Sequence, residues 1–384
     1  MEITIATGIF WPEMGGPATY VKMIAQEMTK NGFKVNVVCR SKKRKYKEDK
    51  ELPFPIYRIK NLRPKIASYF FYFLKLIKVA RKSDVIFCQG PVSSGLPAYW
   101  ANKFLKKKFV LKIVGDYAWE QAALNKYEDD IVSFQSRKFS GKIGTLKKIQ
   151  RRVAQSANLV IVPSEFLAKI VGFWGVKKEN IKVINNGTDF EPLDISREEA
   201  RKKIKISGNI LLSIGRMVPW KGFVMLIKIM PELLRDIPFL RLVIIGDGPD
   251  FESLKRIVKN LNLENKVYIL EKMSKENLRL YLAAADMFVL NSGYEGFSHQ
   301  IIEVMACKIP VLVSTSGGNP EIVKSGENGL LFPYNNEFYL KEFIRLIHND
   351  KELAENISQG ALETSKNFTV KKTLEKTISA LGSL

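Results

Sequence analysis

The sequence is short of several things that would have fixed its class at once. Its 384 residues hold three cysteines and two histidines. Cys39, Cys88 and Cys307 are far apart, odd in number and without CxxC spacing, so neither a disulfide frame nor a zinc site is expected, and a reduced, cytosolic setting is. No run of about 18 apolar residues occurs, so no membrane-spanning helix is expected. The opening stretch MEITIATGIF lacks a basic leader and a long apolar segment, and reads as a first strand rather than a signal peptide. Short-period repeats and low-complexity tracts are missing too, apart from the basic KKRKYK at 42–47, read as a solvated loop. Acidic residues are scarce in one half only. Residues 1–182 carry 35 Lys+Arg against 14 Asp+Glu, whereas the rest carry 26 against 25. So one-sided a surplus points to one domain facing an anionic partner: a membrane surface, a nucleic acid or an acidic polymer.

What is present is a chain long enough for two domains, with 46% apolar residues to fill their cores. Short β-branched runs (ITIA, VNVVC, PIYRI, DVIFC, FVLKIV, NLVIV, KVIN) alternate with amphipathic stretches. The alternation restarts at NILLSIG and continues through RLVIIG, KVYIL, DMFVL, IPVLV and GLLF. Strand and helix in strict alternation means βαβ units, hence two doubly wound α/β domains, each with a parallel sheet. The polar segment NNGTDFEPLDIS, 185–196, falls between them as a linker. In such sheets ligands bind beyond the carboxyl ends of the strands. The residues that follow each strand are therefore the candidates.

After the first strand, Gly15-Gly16-Pro17 places flexible backbone before a helix opening at Pro17 or Ala18. That suits close approach of a ligand to free N–H groups as well as it suits a plain tight turn. In ILLSIGRMVPWKGF, Gly215 ends a strand, and Arg216 and Lys221 project from the next loop. One offers a forked donor and the other a mobile point charge for phosphate oxygens, which could stabilise a departing diphosphate without a metal. In RLVIIGDGPDFESL, Pro249 is expected to open a helix. Asn319-Pro320-Glu321 is expected to form the cap and first turn of another.

The stretch EGFSHQIIE admits a sharper alternative. In one continuous helix, Glu295, His299 and Glu303 would stack on one face like a metal site. Ser298, however, is a good N-cap, followed by the apolar face of Ile301, Ile302, Met305 and Ala306. With the helix starting there, Glu295 lies in the loop before it. The N–H groups of Phe297, Ser298 and His299 then point from a helix end at an anion, and Glu303 sits over a turn in, placed for two ribose hydroxyls. His299 is left to brace Glu303, to contact phosphate or to cover the helix end.

These motifs, in this order, resemble the retaining glycosyltransferases of GT-B fold, glycosyltransferase family 4 (glycosyl transferases group 1). G-R-x(4)-K-G, G-x-G-P, E-G-F-x(5)-E and G-G-N-P-E between Gly215 and Pro333 carry the likeness. The resemblance implies two Rossmann-like domains facing each other across a cleft. The first, 1–188, would hold the acceptor and be joined by a last helix at about 368–384. The second, 189–367, would hold a nucleoside-diphosphate sugar. It implies no cofactor and no essential metal. By position, Arg216 and Lys221 resemble the diphosphate-binding pair, Glu295 the residue beside the donor sugar, Glu303 the ribose ligand, and Gly16 the glycine that lets the N-terminal loop reach the phosphates. Many relatives have histidine where this chain has Gly115-Asp116, so Asp116 is expected as a ligand of the sugar or the acceptor hydroxyl. Two other departures are Lys308 for a glycine and Asn291-Ser292 for Pro-Ser. The implied reaction is front-face transfer to a glycan or lipid-linked acceptor in cell-surface polysaccharide or glycolipid synthesis. The alternatives are a non-catalytic, membrane-associated nucleotide-sugar-binding subunit and a GT-B sugar-nucleotide epimerase, for which two histidines are few.

The basic half adds RPKIASYFFYFLKLIKVARKSD, 63–84, with aromatic residues beside Lys75, Lys78, Arg81 and Lys82. A basic amphipathic helix of this kind suits a membrane interface, although an apolar face packed on a sheet reads the same way. Together with KKRKYK, KFLKKK and RKFSGKIGTLKKIQRR it favours an anionic membrane surface on the inner face of the cell membrane. No nucleic-acid module is recognised, so nucleic acid is not expected as a partner.

Overall fold

The structure is a computed structural model that describes residues 1–62 and 65–384. Arg63 and Pro64, the start of the basic amphipathic stretch, lie outside the described residues. The chain divides into two compact units. Unit 1 comprises Met1–Ala122, Ile131–Asn185 and Lys371–Leu384, and unit 2 comprises Ala123–Asp130 and Asn186–Val370. The short segment Ala123–Asp130, read from sequence as part of the first domain, thus groups with the second unit.

Unit 1 is built on strands β1 (Glu2–Thr7), β2 (Lys34–Ser41), β3 (Ile56–Lys60), β4 (Val85–Gln89), β5 (Lys108–Lys112), β6 (Leu159–Val162) and β7 (Ile181–Val183). They form one parallel sheet in the order β3-β2-β1-β4-β5-β6-β7. Helices α1 (Gly16–Lys30), α2 (Lys65–Ala80) and α3 (Gly95–Leu105) follow β1, β3 and β4. Unit 2 repeats the plan with β8 (Asn209–Ile214), β9 (Leu240–Gly246), β10 (Val267–Glu271), β11 (Met287–Leu290), β12 (Val311–Ser314) and β13 (Leu330–Phe332), ordered β10-β9-β8-β11-β12-β13. In both sheets the strand order reverses once, between β1 and β4 and between β8 and β11. Those reversals open the crevices in which doubly wound sheets take ligands.

The near-continuous apolar runs are explained by burial on both faces of a parallel sheet. Successive side chains of one strand go to opposite sides. In unit 2, Leu211, Val289 and Leu312 pack into one core, and their neighbours Leu212, Phe288 and Val311 into the other. Tertiary packing rearranged two local expectations. Pro249 lies in the turn before the helix Phe251–Asn260, with Asp250 at its N-cap. Asn319–Glu321 is a single 3-10 turn whose Asn319 amide donates to the Ser314 carbonyl (3.0 Å) instead of capping a helix.

Candidate functional site

The reversal point of the second sheet brings together the loops after β8 and β11. Gly215 directly follows β8, and the aliphatic stem of Lys221 lies over it, 3.7 Å from where a Cβ would stand. The loop between them is held from the side: Met217 N–H donates to the Asp247 carbonyl (2.6 Å) and Asp250 N–H to the Met217 carbonyl (3.1 Å). Lys221 ends a short 3-10 turn, and the next residue, Gly222, has φ +60. A side chain there would be strained, and its Cβ would meet the Asn291 carbonyl at 2.3 Å. Arg216 is exposed. Its guanidinium makes no hydrogen bond or ion pair among the described residues.

From the β11 side comes Glu295. Its carboxylate accepts from the Lys221 ammonium and from Ser292 Oγ (2.7 Å). Both charged side chains are largely buried, Lys221 being 11% and Glu295 13% exposed. The backbone of Glu295 is fixed separately: Gly318 N–H donates to its carbonyl at 2.9 Å. Gly317, at φ +65, passes so close that a Cβ would stand 2.0 Å from that oxygen. Only glycine fits there, which accounts for the first glycine of SGGNPE.

The helix His299–Ala306 starts where Ser298 caps it, with Ser298 Oγ accepting from Ile301 N–H (3.4 Å). Glu295 is therefore outside the helix, and the one-face stack of Glu295, His299 and Glu303 is not formed. Among the described residues no group of three His, Cys, Asp or Glu side chains is placed to hold a metal ion. His299 is exposed at the first helical position. The Phe297 side chain belongs to the core, edge-on to Phe368 at 5.4 Å, so only its backbone is available to a ligand. Glu303 is half-buried and accepts from Thr188 Oγ1 at 3.4 Å. Burial raises its pKa, partly offset by the charge of Lys275 and the Thr188 bond.

The remaining two candidates belong to unit 1. Gly16 is the exposed first residue of α1, and an added Cβ would meet nothing within 4 Å, so packing does not require a glycine there. Asp116 corrects the expectation made for it. It is fully buried, and both carboxylate oxygens face inward: Oδ1 accepts from Trp119 N–H (3.0 Å) and Gln150 (2.8 Å), and Oδ2 from Gln135 (2.9 Å). A carboxylate so committed caps the helix Tyr117–Ala123 and ties three segments together; it does not present itself to a sugar.

Sequence reasoning overlooked Asn291. It is fully buried and donates through Nδ2 to the Gly222 carbonyl (3.1 Å) and to Asn335 Oδ1 (2.8 Å), while its Oδ1 accepts from Asn335 N–H (2.9 Å). It thereby links the loops after β8, β11 and β13. The signal was the departure from Pro-Ser itself, because an amide, unlike proline, can donate and accept.

Two family models together account for most of the chain. Glycosyl transferases group 1 matches residues 196–364, and Glycosyltransferase Family 4 matches residues 14–192. The chain belongs to glycosyltransferase family 4. Among curated relatives, the alpha-monoglucosyldiacylglycerol synthase of Streptococcus pneumoniae is 26% identical over 95% of this chain and 79% of its own. An uncharacterized glycosyltransferase of Methanocaldococcus jannaschii is 28% identical over 58% of this chain and 56% of its own. This chain spans about half the length of several curated relatives it matches. Anabaena HepE, solved in complex with UDP, is similar over 100% of both chains with TM-score 0.80 and 22% identity. That likeness, with the two parallel sheets, makes the fold of this family-4 chain GT-B.

Proposed function

We propose that this chain is a retaining glycosyltransferase that moves a sugar from a nucleoside-diphosphate sugar to a hydroxyl of a glycan or lipid-linked acceptor in cell-surface polysaccharide or glycolipid synthesis. The observation that carries the reading is the Lys221–Glu295 pair at the reversal point of the second sheet, with the guanidinium of Arg216, unpartnered among the described residues, on the same loop as Lys221. An ammonium has three N–H donors, so Lys221 can keep Glu295 and still donate to a diphosphate oxygen. Arg216 adds a fork for the same group. Their charge matters most as the sugar–phosphate bond breaks and the diphosphate gains negative charge. Glu295, held at its carboxylate and its backbone, would orient the sugar while the acceptor hydroxyl enters on the face the phosphate leaves, passing its proton to the departing oxygen. Glu303 would take the ribose. The HepE structures with UDP and with UDP-glucose support the donor class by analogy of fold. The test is turnover against a panel of UDP-, GDP- and ADP-sugars with a mixed glycan and lipid acceptor pool, the product anomer being read by NMR. Transfer with the anomeric configuration kept is expected. Nucleotide binding without any product would overturn the reading in favour of a binding subunit.

The same proposal places the first unit on an anionic membrane. Its support is the outer side of α2 and β3. Ile66, Phe70, Phe71 and Leu74 are exposed on α2, and a groove of about 470 Å³ beside them joins Ile59, Leu62, Phe71 and Leu74 to Arg44, Lys60, Lys75 and Lys78. Apolar floor and cationic rim together suit lipid headgroups. Among the described residues no helix is long and apolar enough to cross a bilayer. Sedimentation with vesicles containing anionic lipid should fall with salt, and F70S/F71S should release the protein; indifference to lipid charge would end the membrane reading.

A further inference from the structure

The reversal point of the first sheet has a different character from that of the second. Gln89 and Lys112 are the last residues of β4 and β5 and register partners in the parallel ladder. Register partners on neighbouring parallel strands stand roughly 5 Å apart and project to the same face. Both side chains end in N–H donors. Gln89 Nε2 and Lys112 Nζ are each shut off from solvent and have no hydrogen-bond partner among the described residues. Lys112 is 3% exposed, and what its ammonium meets is the face of the Tyr20 ring on α1, 4.1 Å from the centroid. The Tyr20 hydroxyl is directed to Thr377 Oγ1 (3.3 Å).

A buried lysine that serves only the fold looks otherwise in this same unit. Lys147 is 7% exposed and donates to the carbonyls of Phe134 (2.5 Å) and Arg137 (2.7 Å). Lys112 has no such oxygen. An uncompensated buried charge lowers stability, and buried polar groups are paired as a rule, so an orphaned ammonium at a ligand crevice marks a function. Burial pushes the Lys112 ammonium down to about 8, which leaves it mostly cationic at neutral pH.

We propose that Gln89 and Lys112 form an oxyanion subsite beside the reversal point of the first sheet, at the ends of β4 and β5, which takes a phosphate or carboxylate carried by the acceptor. Two unpartnered N–H donor groups, one of them charged, favour an anionic oxygen over a neutral hydroxyl, because the charge-assisted bond is the stronger. Gln89 closes the strand that borders the crevice, and Lys112 closes the next, so a group bound by both lies beyond the carboxyl ends of these strands, next to the crevice in which doubly wound sheets hold ligands. The role as acceptor subsite rests on the glycosyltransferase reading; the binding of an oxyanion does not.

Calorimetric titration of the whole chain tests it. The protein is first saturated with whichever of UDP, GDP or ADP binds, to occupy the donor phosphate contacts, and then titrated with inorganic phosphate and separately with acetate. Wild type should bind at least one of the two, K112M should bind it at least tenfold more weakly, and Q89L several-fold more weakly. A preference for phosphate or for acetate gives the class of the acceptor's anionic group. Absence of binding by wild type, or equal binding by wild type and K112M, overturns the subsite; if K112M does not fold, unchanged binding by Q89L overturns it instead. Failure of the donor reading shows separately, as no heat with any nucleotide, and the anion titrations of the free protein still decide the subsite.

Discussion

The two sheets share a strand order and treat charge at the reversal point in opposite ways. In unit 2 the lysine is neutralised inside the protein: Lys221 reaches Glu295, and Glu295 is steadied by Ser292. In unit 1 the lysine faces an aromatic ring and no anionic oxygen: Lys112 lies over Tyr20. Topology supplies the crevice in each case. Whether the crevice keeps its own counter-ion is decided by single residues that topology does not specify. Unit 2 therefore holds its geometry without a substrate, whereas unit 1 carries an uncompensated cation that an incoming anion would neutralise. The wider charge balance runs the same way, with the surplus of 35 Lys+Arg over 14 Asp+Glu confined to residues 1–182.

One substitution, lysine to methionine, made on each side is the sharpest way to break this contrast. The largest effect is expected on turnover. K221M should lower kcat at least about a hundredfold, the scale for losing one donor to a developing oxyanion, while nucleotide affinity measured by calorimetry changes much less. Equal losses in both would mean that Lys221 holds the donor without helping it react. Next comes G317A, which puts a Cβ 2.0 Å from the Glu295 carbonyl in a positive-φ backbone. Urea unfolding should show a loss of about 2 kcal/mol or more, with activity falling as Glu295 shifts. Stability then separates the two lysines by sign. K221M leaves Glu295 without its cation and should cost about 1.5–3 kcal/mol. K112M removes an unpaired buried charge and should stabilise by about 1 kcal/mol. This last difference depends on pH. The folded-state pKa of Lys112 is lowered from the ordinary 10.5 to about 8, so the unfolded chain holds the proton more tightly. The destabilisation is complete below pH 8 and fades as pH rises towards 10.5, so the advantage of K112M should shrink over that window. A lysine that destabilises at both sites, or at neither, would remove the contrast.

The strands were legible because parallel sheets bury both faces, and runs such as ILLSI and MFVL admit few other readings. The start of the helix after EGF was legible because Ser298 has one dominant local use. Asp116 was misread: position suggested a ligand, but Gln135 and Gln150, far along the chain, turn its carboxylate inward. Asn291 stood out in sequence only as a departure from Pro-Ser, and its linking role stayed hidden because its bonds run to Gly222 and Asn335; Lys112 gave no sign because an orphaned amine is visible only once its surroundings are known. Periodicity and caps act over a few residues and can be read in a line of letters. Buried polar pairing acts across dozens and cannot.

Asn291 also has a kinetic consequence. Its amide joins the turn bearing Lys221 to the loop after β13, and the Gly293 N–H donates to the Trp220 carbonyl (2.7 Å) alongside it. Loops linked in this way open together or not at all. In deuterium exchange the amides of Gly293 and Asn335 should behave as one cooperative class, slower than surface loops of similar length, and N291A should split that class in two. The lysine and the glutamate of unit 2 would then fluctuate as a single body, their separation steadier than the position of either.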